Sequence, residues 1–204
     1  MKRRWRLAAG LGVCVFAAYI SHRWWLAAAG GTLVCAERPG VAEAILLDNF
    51  DNEYGLFRRG AELQRTGLAP RVVVPVTSPD EEDAAAAAHE VANAFARLAG
   101  LVRWDLVPVE EREPISLNAA YRIREFLLRE HITSVMLVSP GFRSKRSELI
   151  YRSVLRESHI TTACMPVFGA TNPQTWTSTW HGIQDVGLQF MKLQYYRFWV
   201  LPRA

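Results

Sequence analysis

Cysteine is scarce in this sequence. Its three cysteines, Cys14, Cys35 and Cys164, include no Cys-x-x-Cys spacing and have no histidine pair nearby. A zinc site and a disulfide framework are therefore unsupported, and no metal site is predicted. Cys35 and Cys164 could still pair with each other if the compartment is oxidising.

Glycine-rich phosphate loops are also absent. No such loop follows the first predicted strand, so dinucleotide binding of the GxGxxG type and ATP binding of the Walker type are not supported. The sequence has no internal repeat, and its only low-complexity segment is an alanine-rich run. The identity of any cofactor stays unknown.

The chain has no large excess of one charge. The formal net charge is +4 at pH 7, and Lys2, Arg3, Arg4 and Arg6 alone supply that many positive charges. The remainder is close to neutral, which argues against nucleic acid as a partner. Of the 204 residues, 50% are hydrophobic, so the composition predicts one packed domain with a short appendage and excludes wholesale disorder.

The first 25 residues have the pattern of a membrane anchor. The amino-terminal cations precede an apolar run at residues 7–20. With Trp5, Trp24 and Trp25 counted as interfacial aromatic residues, the segment approaches the length of about 20 residues that a bilayer core needs. The positive-inside rule then predicts a single span, with the amino terminus in the cytoplasm and residues 26–204 forming a domain outside.

A cleaved signal peptide is the alternative interpretation. The small residues at 27–30 could be recognised by a peptidase. Arg23 and the tryptophan pair that follows it would, however, interrupt the hydrophobic region of a signal peptide. The anchor is therefore the favoured interpretation.

From Ala44 onward, short apolar runs alternate with helical patterns. This alternation predicts an α/β fold, a three-layer sandwich in which helices cover both faces of a mainly parallel five-stranded sheet. The predicted strands are residues 44–47, 71–76, 104–109, 134–138 and 161–167. The predicted helices are residues 54–65, 78–98, 117–129, 144–156 and 182–198.

Local patterns give three finer expectations for this sheet and its helices. The fourth strand is the most apolar segment of the domain and is expected at the centre of the sheet. Ser78 is expected to cap the helix that follows the second strand, with Glu81 completing a capping box. In that helix, Val91, Phe95 and Leu98 are expected to share one face.

Ligands bind open parallel sheets outside the carboxyl ends of the strands, where the strand order reverses. If the chain winds outward through the second and third strands and returns beside the first, the strands ending at Leu47 and Val138 are neighbours. The five histidines lie outside the loops beyond the strands, so a Ser-His-Asp or Cys-His mechanism is not expected. The candidate site residues in those loops are Asp48, Asn49, Asp51, Thr77, Ser78, Glu113, Ser116, Ser139, Arg143 and Arg146.

The acidic loop at residues 48–53 allows two interpretations. Asp48 or Asp51 could act as a general base, or the loop could supply oxygen ligands to a hard cation, although its spacing matches no calcium loop. Alternatively, the loop is a turn whose Asp and Asn residues suit the positive end of the following helix.

The basic cluster formed by Arg143, Lys145 and Arg146 lies at a predicted helix amino terminus. Cations at that end oppose the helix dipole, so the cluster requires an anion to neutralise it. A ligand phosphate and the acidic loop are equally good candidates for that anion.

Aromatic residues concentrate at the carboxyl end of the chain. Packing of a helix on the core is the favoured explanation, and contact with a bilayer is the alternative. The residues concerned are Trp176, Trp180, Tyr195, Tyr196, Phe198 and Trp199.

Four parts of the chain carry a resemblance to a known family. They are residues 60–74, the set Glu113, Ser116 and Asn118, residues 146–152, and the closing set Trp180, Gly182, Lys192, Leu193 and Tyr195. Through them, residues 26–196 resemble the SanA/YdcF/ElyC-like envelope proteins, the YdcF-like family. The resemblance implies an amino-terminal anchor in the bacterial cytoplasmic membrane, with an extracytoplasmic Rossmann-like domain. It also adds Asn118 to the candidate ligand-binding residues.

The chain departs from the family pattern at several site positions. The family's Leu-Gly-Gly after the first strand is Leu47-Asp48-Asn49 here, and Phe142 or Arg143 stands in place of the family's histidine. Glycines that let the backbone approach a ligand cannot become Asp and Asn without reshaping the pocket. The resemblance therefore implies the fold and leaves the family's activity unsupported.

Two functions remain as hypotheses. The favoured one is a membrane-anchored accessory protein of bacterial cell-envelope or surface-polysaccharide biogenesis that binds a phosphate-bearing or lipid-linked glycan without turnover. The alternative is a divergent hydrolase or transferase acting on a lipid-linked or phosphate-linked glycan. In it, Asp48 or Asp51 would be the base, while Arg143 and Arg146 would hold the phosphate.

Overall fold

A computed structural model describes residues 20–51, 53–79 and 81–203 of the chain. Helix α1 covers residues 20–31 of the described part. The strands are β1 (Ala44–Leu47), β2 (Val72–Ser78), β3 (Trp104–Glu110), β4 (Ser134–Pro140) and β5 (Thr161–Val167). The other helices are α2 (Tyr54–Arg65), α3 (Glu82–Ala99), α4 (Ile115–Arg129), α5 (Ser144–Arg156) and α6 (Trp180–Tyr195).

The five strands form one sheet in the order β3-β2-β1-β4-β5, and every neighbouring pair is parallel. The order reverses between β1 and β4, where Leu47 is in register with Val138. The predicted adjacency of these two strand ends is therefore confirmed. The fourth strand is an interior strand, flanked by β1 and β5, as expected for the most apolar segment, and β1 is the middle strand.

Apolar side chains alternate between the two faces of the sheet. Along β1, Leu46 belongs to the core beneath α4 and α5, whereas Ile45 belongs to the core beneath α2 and α3. The successive side chains of a strand point to opposite faces, so a strand buried on both sides must be apolar at every position. Both cores are covered by helices, which confirms the α/β fold with a parallel sheet at its centre.

The second strand is longer than predicted, and this changes the role of Ser78. Because β2 continues its ladder with β3 as far as the pair Ser78 and Glu110, Ser78 is a strand residue. Helix α3 begins at Glu82 after Glu81, whose side chain makes no capping hydrogen bond. The expected capping box at Ser78 is therefore wrong.

The chain between α1 and β1 is tied to the far edge of the sheet. Cys35 and Cys164 of β5 form a disulfide, which is the pairing that the sequence left open. The Ser144 hydroxyl accepts a hydrogen bond from the Cys35 backbone N–H at 3.0 Å. Both half-cystines are buried, so the bond fixes this segment against the core.

The predicted anchor lies mostly outside the described residues, since only Ile20 of residues 7–20 is described. Within the described ranges, we find no helix that is long and apolar enough to cross a membrane.

Candidate functional site

The candidate site lies where the chain leaves β1 and β4 at their carboxyl ends. The Asp48 backbone N–H donates to the Val138 carbonyl oxygen at 2.9 Å, which extends the ladder one residue beyond β1. This pairing places the acidic loop after β1 directly beside the basic cluster after β4. The two charged segments that the sequence singled out therefore meet at one sheet edge.

Asp48 is the centre of a buried hydrogen-bond network. Its residue is 1% exposed, and its Oδ2 accepts hydrogen bonds from Ser139 Oγ at 2.6 Å, Ser147 Oγ at 2.6 Å and Arg143 Nε at 3.1 Å. Three donors satisfy this oxygen, as burial of a charged group demands. The carboxylate thus holds β1, β4 and α5 together at the point where the sheet reverses.

Arg143 is held by the acidic loop. It donates to the Asp48 backbone carbonyl at 2.8 Å, and it also pairs with the carboxylate of the more exposed Asp51. Burial by itself lowers the pKa of Arg143, but the nearby carboxylates of Asp48, Asp51 and Glu53 outweigh it and raise that pKa. The acidic loop is therefore the anion that neutralises this member of the basic cluster.

Arg146 differs from the other two members of the cluster. Lys145 pairs with Glu148 at 3.0 Å, whereas Arg146 has no ion pair with any described residue. Arg146 is 7% exposed, its Nε has no hydrogen-bond partner in the described structure, and its guanidinium stands 5.6 Å from the centre of the Tyr196 ring. Burial is the main cause that lowers its pKa. Arg146 is thus a buried cation with no carboxylate partner among the described residues.

A cavity of about 450 Å³ opens beside Arg146. Its walls come from the loops after β1 and β3, from the end of β2, from the starts of α4 and α5, and from α6 with the residue that follows it. Six of the predicted site residues line it: Asp51, Thr77, Glu113, Ser116, Arg143 and Arg146. The sequence-based choice of loops therefore converges on one space in the structure.

The other predicted site residues lie away from this cavity. Asp48 and Ser139 are buried in the network beneath it, and Asn49 is buried with its amide 3.5 Å from the Pro75 carbonyl oxygen. Ser78 lines a separate cleft beside β3, and Asn118 donates from Nδ2 to the Arg112 carbonyl oxygen at 2.6 Å. None of these five residues lines the cavity.

Helix α6 supplies a wall that the sequence reasoning missed. Gln189, Lys192, Tyr195 and Tyr196 all line the cavity, although none was a predicted site residue. Most of the predicted site residues lie in loops after strands. Helix α6 reaches the site differently, through the packing of Val186 and Leu193 on Leu33 and Phe142. The signal that could have found this wall is the closing motif, which contains Lys192 and Tyr195.

The described residues offer no histidine to the cavity. His131 and His159 stand just before β4 and β5, with positive φ values of 55° and 56°, and so lie at the opposite edge of the sheet. Within the described ranges, no group of three His, Cys, Asp or Glu side chains is placed to hold a metal ion. Binding through charge and hydrogen bonds is the chemistry that the cavity supports most directly.

Comparison of this chain with protein-family models, with curated proteins and with solved structures finds no match.

Proposed function

We propose that this chain is a membrane-anchored accessory protein of bacterial cell-envelope or surface-polysaccharide biogenesis, related to the YdcF-like family. In this proposal the domain at residues 26–204 faces the periplasm or cell exterior. Its crevice binds the phosphate of a lipid-linked or phosphate-bearing glycan without turnover.

The observation that carries this proposal is the burial of Arg146 without an ion-pair partner among the described residues. A guanidinium that is buried beside a cavity, without an anion, is stabilised when a phosphate supplies charge and oxygen acceptors. Lys192 lines the same cavity and forms no ion pair with a described residue, so it adds a second cation for a doubly charged phosphate. Arg143 already pairs with two carboxylates, Asp48 and Asp51, so Arg146 and Lys192 are the cations that remain to recognise the phosphate.

The remaining lining suits a sugar attached to the phosphate. Glu111 and Glu113 are carboxylates that accept hydrogen bonds from sugar hydroxyls, and Thr77 and Ser116 can both donate and accept. Tyr195 and Tyr196 contribute flat, partly apolar surfaces.

The enzymatic alternative depends on Asp51. Asp48 Oδ2 accepts hydrogen bonds from three donors, which makes it a poor general base in this arrangement. Asp51 keeps a side chain that is 66% exposed and lines the cavity, so it is the carboxylate that a hydrolase or transferase mechanism would use.

Inorganic phosphate at millimolar concentration is expected to raise the thermal midpoint of the full-length chain. At ten times the dissociation constant, binding stabilises the folded state by about 1.4 kcal/mol. For a domain of this size, that corresponds to an increase of about 3 to 5 °C. Arg146→Gln should abolish the increase, because it removes the unpaired cation. Differential scanning fluorimetry, with and without phosphate, measures the thermal midpoints of the wild type and the variant.

Lys145→Gln is the matched control for this experiment. It removes one positive charge from the same turn of α5, but that charge is paired with Glu148 outside the cavity. The increase with phosphate should survive it, and sodium chloride at equal ionic strength should not reproduce the effect. An increase that persists in Arg146→Gln, or that both variants lose, contradicts the proposal.

A carboxyl-terminal fusion tests the proposed topology. Alkaline phosphatase fused after residue 204 should be active, because it requires the oxidising exterior of the cytoplasmic membrane. A fluorescent protein that folds only in the cytoplasm should be dark at the same position. The disulfide between Cys35 and Cys164 supports this expectation, since such bonds persist in oxidising compartments. The reverse pair of results would place the domain in the cytoplasm.

A further inference from the structure

Helix α6 turns an apolar face toward the outside of the domain. Exposed side chains recur along it at helical spacing, and Trp180, Met191 and Phe198 are 67%, 62% and 66% exposed. We call this surface the α6 apolar face. It consists of Trp180, Ile183, Phe190, Met191, Tyr195 and Phe198. Phe198 lies in the π-helical turn that follows α6.

Core packing does not account for this face. The opposite side of α6 is the one that packs inward, through Val186 and Leu193. Gly182 brings that side close to the backbone of Trp176, since a Cβ atom added there would lie 2.2 Å from the Trp176 carbonyl oxygen. Of the two explanations for the carboxyl-terminal aromatics, the core accounts for Trp176 and Tyr196 only.

The charged residues that flank the carboxyl-terminal half of the α6 apolar face are all positive, whereas the exposed Asp185 lies in the amino-terminal half of α6. The last acidic residue of the chain is Asp185, and Lys192, Arg197 and Arg203 follow it. Arg203 stands 3.7 Å from the ring centre of Trp199, which is itself 57% exposed. Tryptophan and other aromatics combined with lysine and arginine are the composition of helices that lie in the interface of an anionic bilayer.

The amino end of α6 lies close to the part of the chain that leads toward the predicted anchor. Trp176, just before α6, donates from its indole N–H to the Leu26 carbonyl oxygen of α1 at 2.9 Å. On α1, Trp24 and Trp25 are 67% and 61% exposed. The apolar run at residues 7–20 continues amino-terminally from this helix. A chain that enters a bilayer through that run leaves the domain beside α6.

We infer that the α6 apolar face lies in the headgroup region of an anionic phospholipid bilayer, as a second membrane contact in addition to the predicted span. The aromatic and aliphatic side chains enter the boundary between headgroups and acyl chains, while Arg197 and Arg203 contact lipid phosphates. Tyr195 belongs both to this face and to the cavity lining. The cavity mouth therefore sits at the headgroup level, where, if the proposed function holds, a lipid-linked glycan phosphate is presented.

Depth-dependent quenching tests this contact. The full-length chain with Cys14→Ser carries one new cysteine, either Met191→Cys on the α6 apolar face or Val102→Cys as control. Val102 is 81% exposed just before the amino end of the edge strand β3, and the native disulfide cysteines are buried. Each variant is labelled with an environment-sensitive fluorophore and reconstituted in vesicles of phosphatidylethanolamine and phosphatidylglycerol.

A nitroxide attached to the lipid acyl chains should quench the fluorophore at position 191 severalfold more than at position 102, and aqueous iodide should show the reverse preference. Equal access of iodide to both positions overturns the inference. Protection of position 191 from iodide without quenching by the lipid nitroxide would mean that protein covers the face, either a second copy or the chain's own amino terminus. That result also overturns the inference. Phosphate binding is not part of this readout, so failure here is distinct from failure of the proposed function.

Discussion

Replacing Asp48 with asparagine is expected to lower the free energy of unfolding by about 3 kcal/mol. The Asp48 carboxylate accepts hydrogen bonds from Ser139, Ser147 and Arg143 in a site closed to solvent. The neutral amide accepts weaker hydrogen bonds from these donors, and the buried guanidinium of Arg143 keeps only the exposed Asp51 carboxylate as its ion-pair partner. Urea unfolding of the full-length chain, followed by circular dichroism, measures the loss.

Asp51→Asn is the matched control, because Asp51 pairs with the same guanidinium from an exposed position. An exposed ion pair contributes at most about 1 kcal/mol, so this variant should unfold near the wild-type midpoint. Equal losses in the two variants, or none in Asp48→Asn, would show that the buried network does not stabilise the strand junction. Because Asp51→Asn keeps the fold, it is also the variant in which a loss of any turnover reports on chemistry.

The parts of the fold that depend on local apolar patterns were predictable from the sequence. The bounds of β1, α2, α5 and β5 are those predicted, because these segments are flanked by loop residues that interrupt the apolar pattern. The adjacency of β1 and β4 was predictable as well, since the connection rules for parallel sheets leave few alternatives.

The errors occur where tertiary contacts outweigh local preference. Ser78 and Glu81 have a good helix-start pattern, yet pairing with β3 extends β2 through Ser78. In α3, Val91, Phe95 and Leu98 share one side of the helix as expected, but the fully buried residues are Ala92 and Ala96, and Leu98 is 72% exposed. Small side chains let this helix lie close to the sheet, and a hydrophobicity pattern does not register that closeness.

The site was predictable as a location but not as a set of partners. The sequence brought the acidic loop and the basic cluster to one crevice, and it left open whether a ligand or the loop neutralises the cations. The structure divides the cluster, since Arg143 is bound by Asp48 and Asp51 while Arg146 is left facing the cavity. That division depends on whether Arg143 or Arg146 points toward β1 at the start of α5. The spacing of the two residues in the sequence does not determine this.

Removing the Cys35–Cys164 disulfide is expected to lower the free energy of unfolding by about 4 to 5 kcal/mol. The two cysteines are 129 residues apart in sequence, so the bond restricts most of the unfolded domain. In the chain-entropy account, the stabilisation grows with the length of the closed loop. Urea unfolding of the double variant Cys35→Ala with Cys164→Ala, compared with the oxidised wild type, measures the loss.

Two controls separate the bond from other effects of the substitutions. Cys14→Ala should leave stability unchanged, because Cys14 takes no part in the bond. Reduction of the wild-type chain should bring its unfolding midpoint close to that of the double variant, since the buried side chains differ by little more than the sulfur atoms.

Mass spectrometry of a non-reduced digest should find the cross-linked peptides in chain taken from the cell membrane. Free thiols at both positions there would contradict the bond and remove its support for an extracytoplasmic domain.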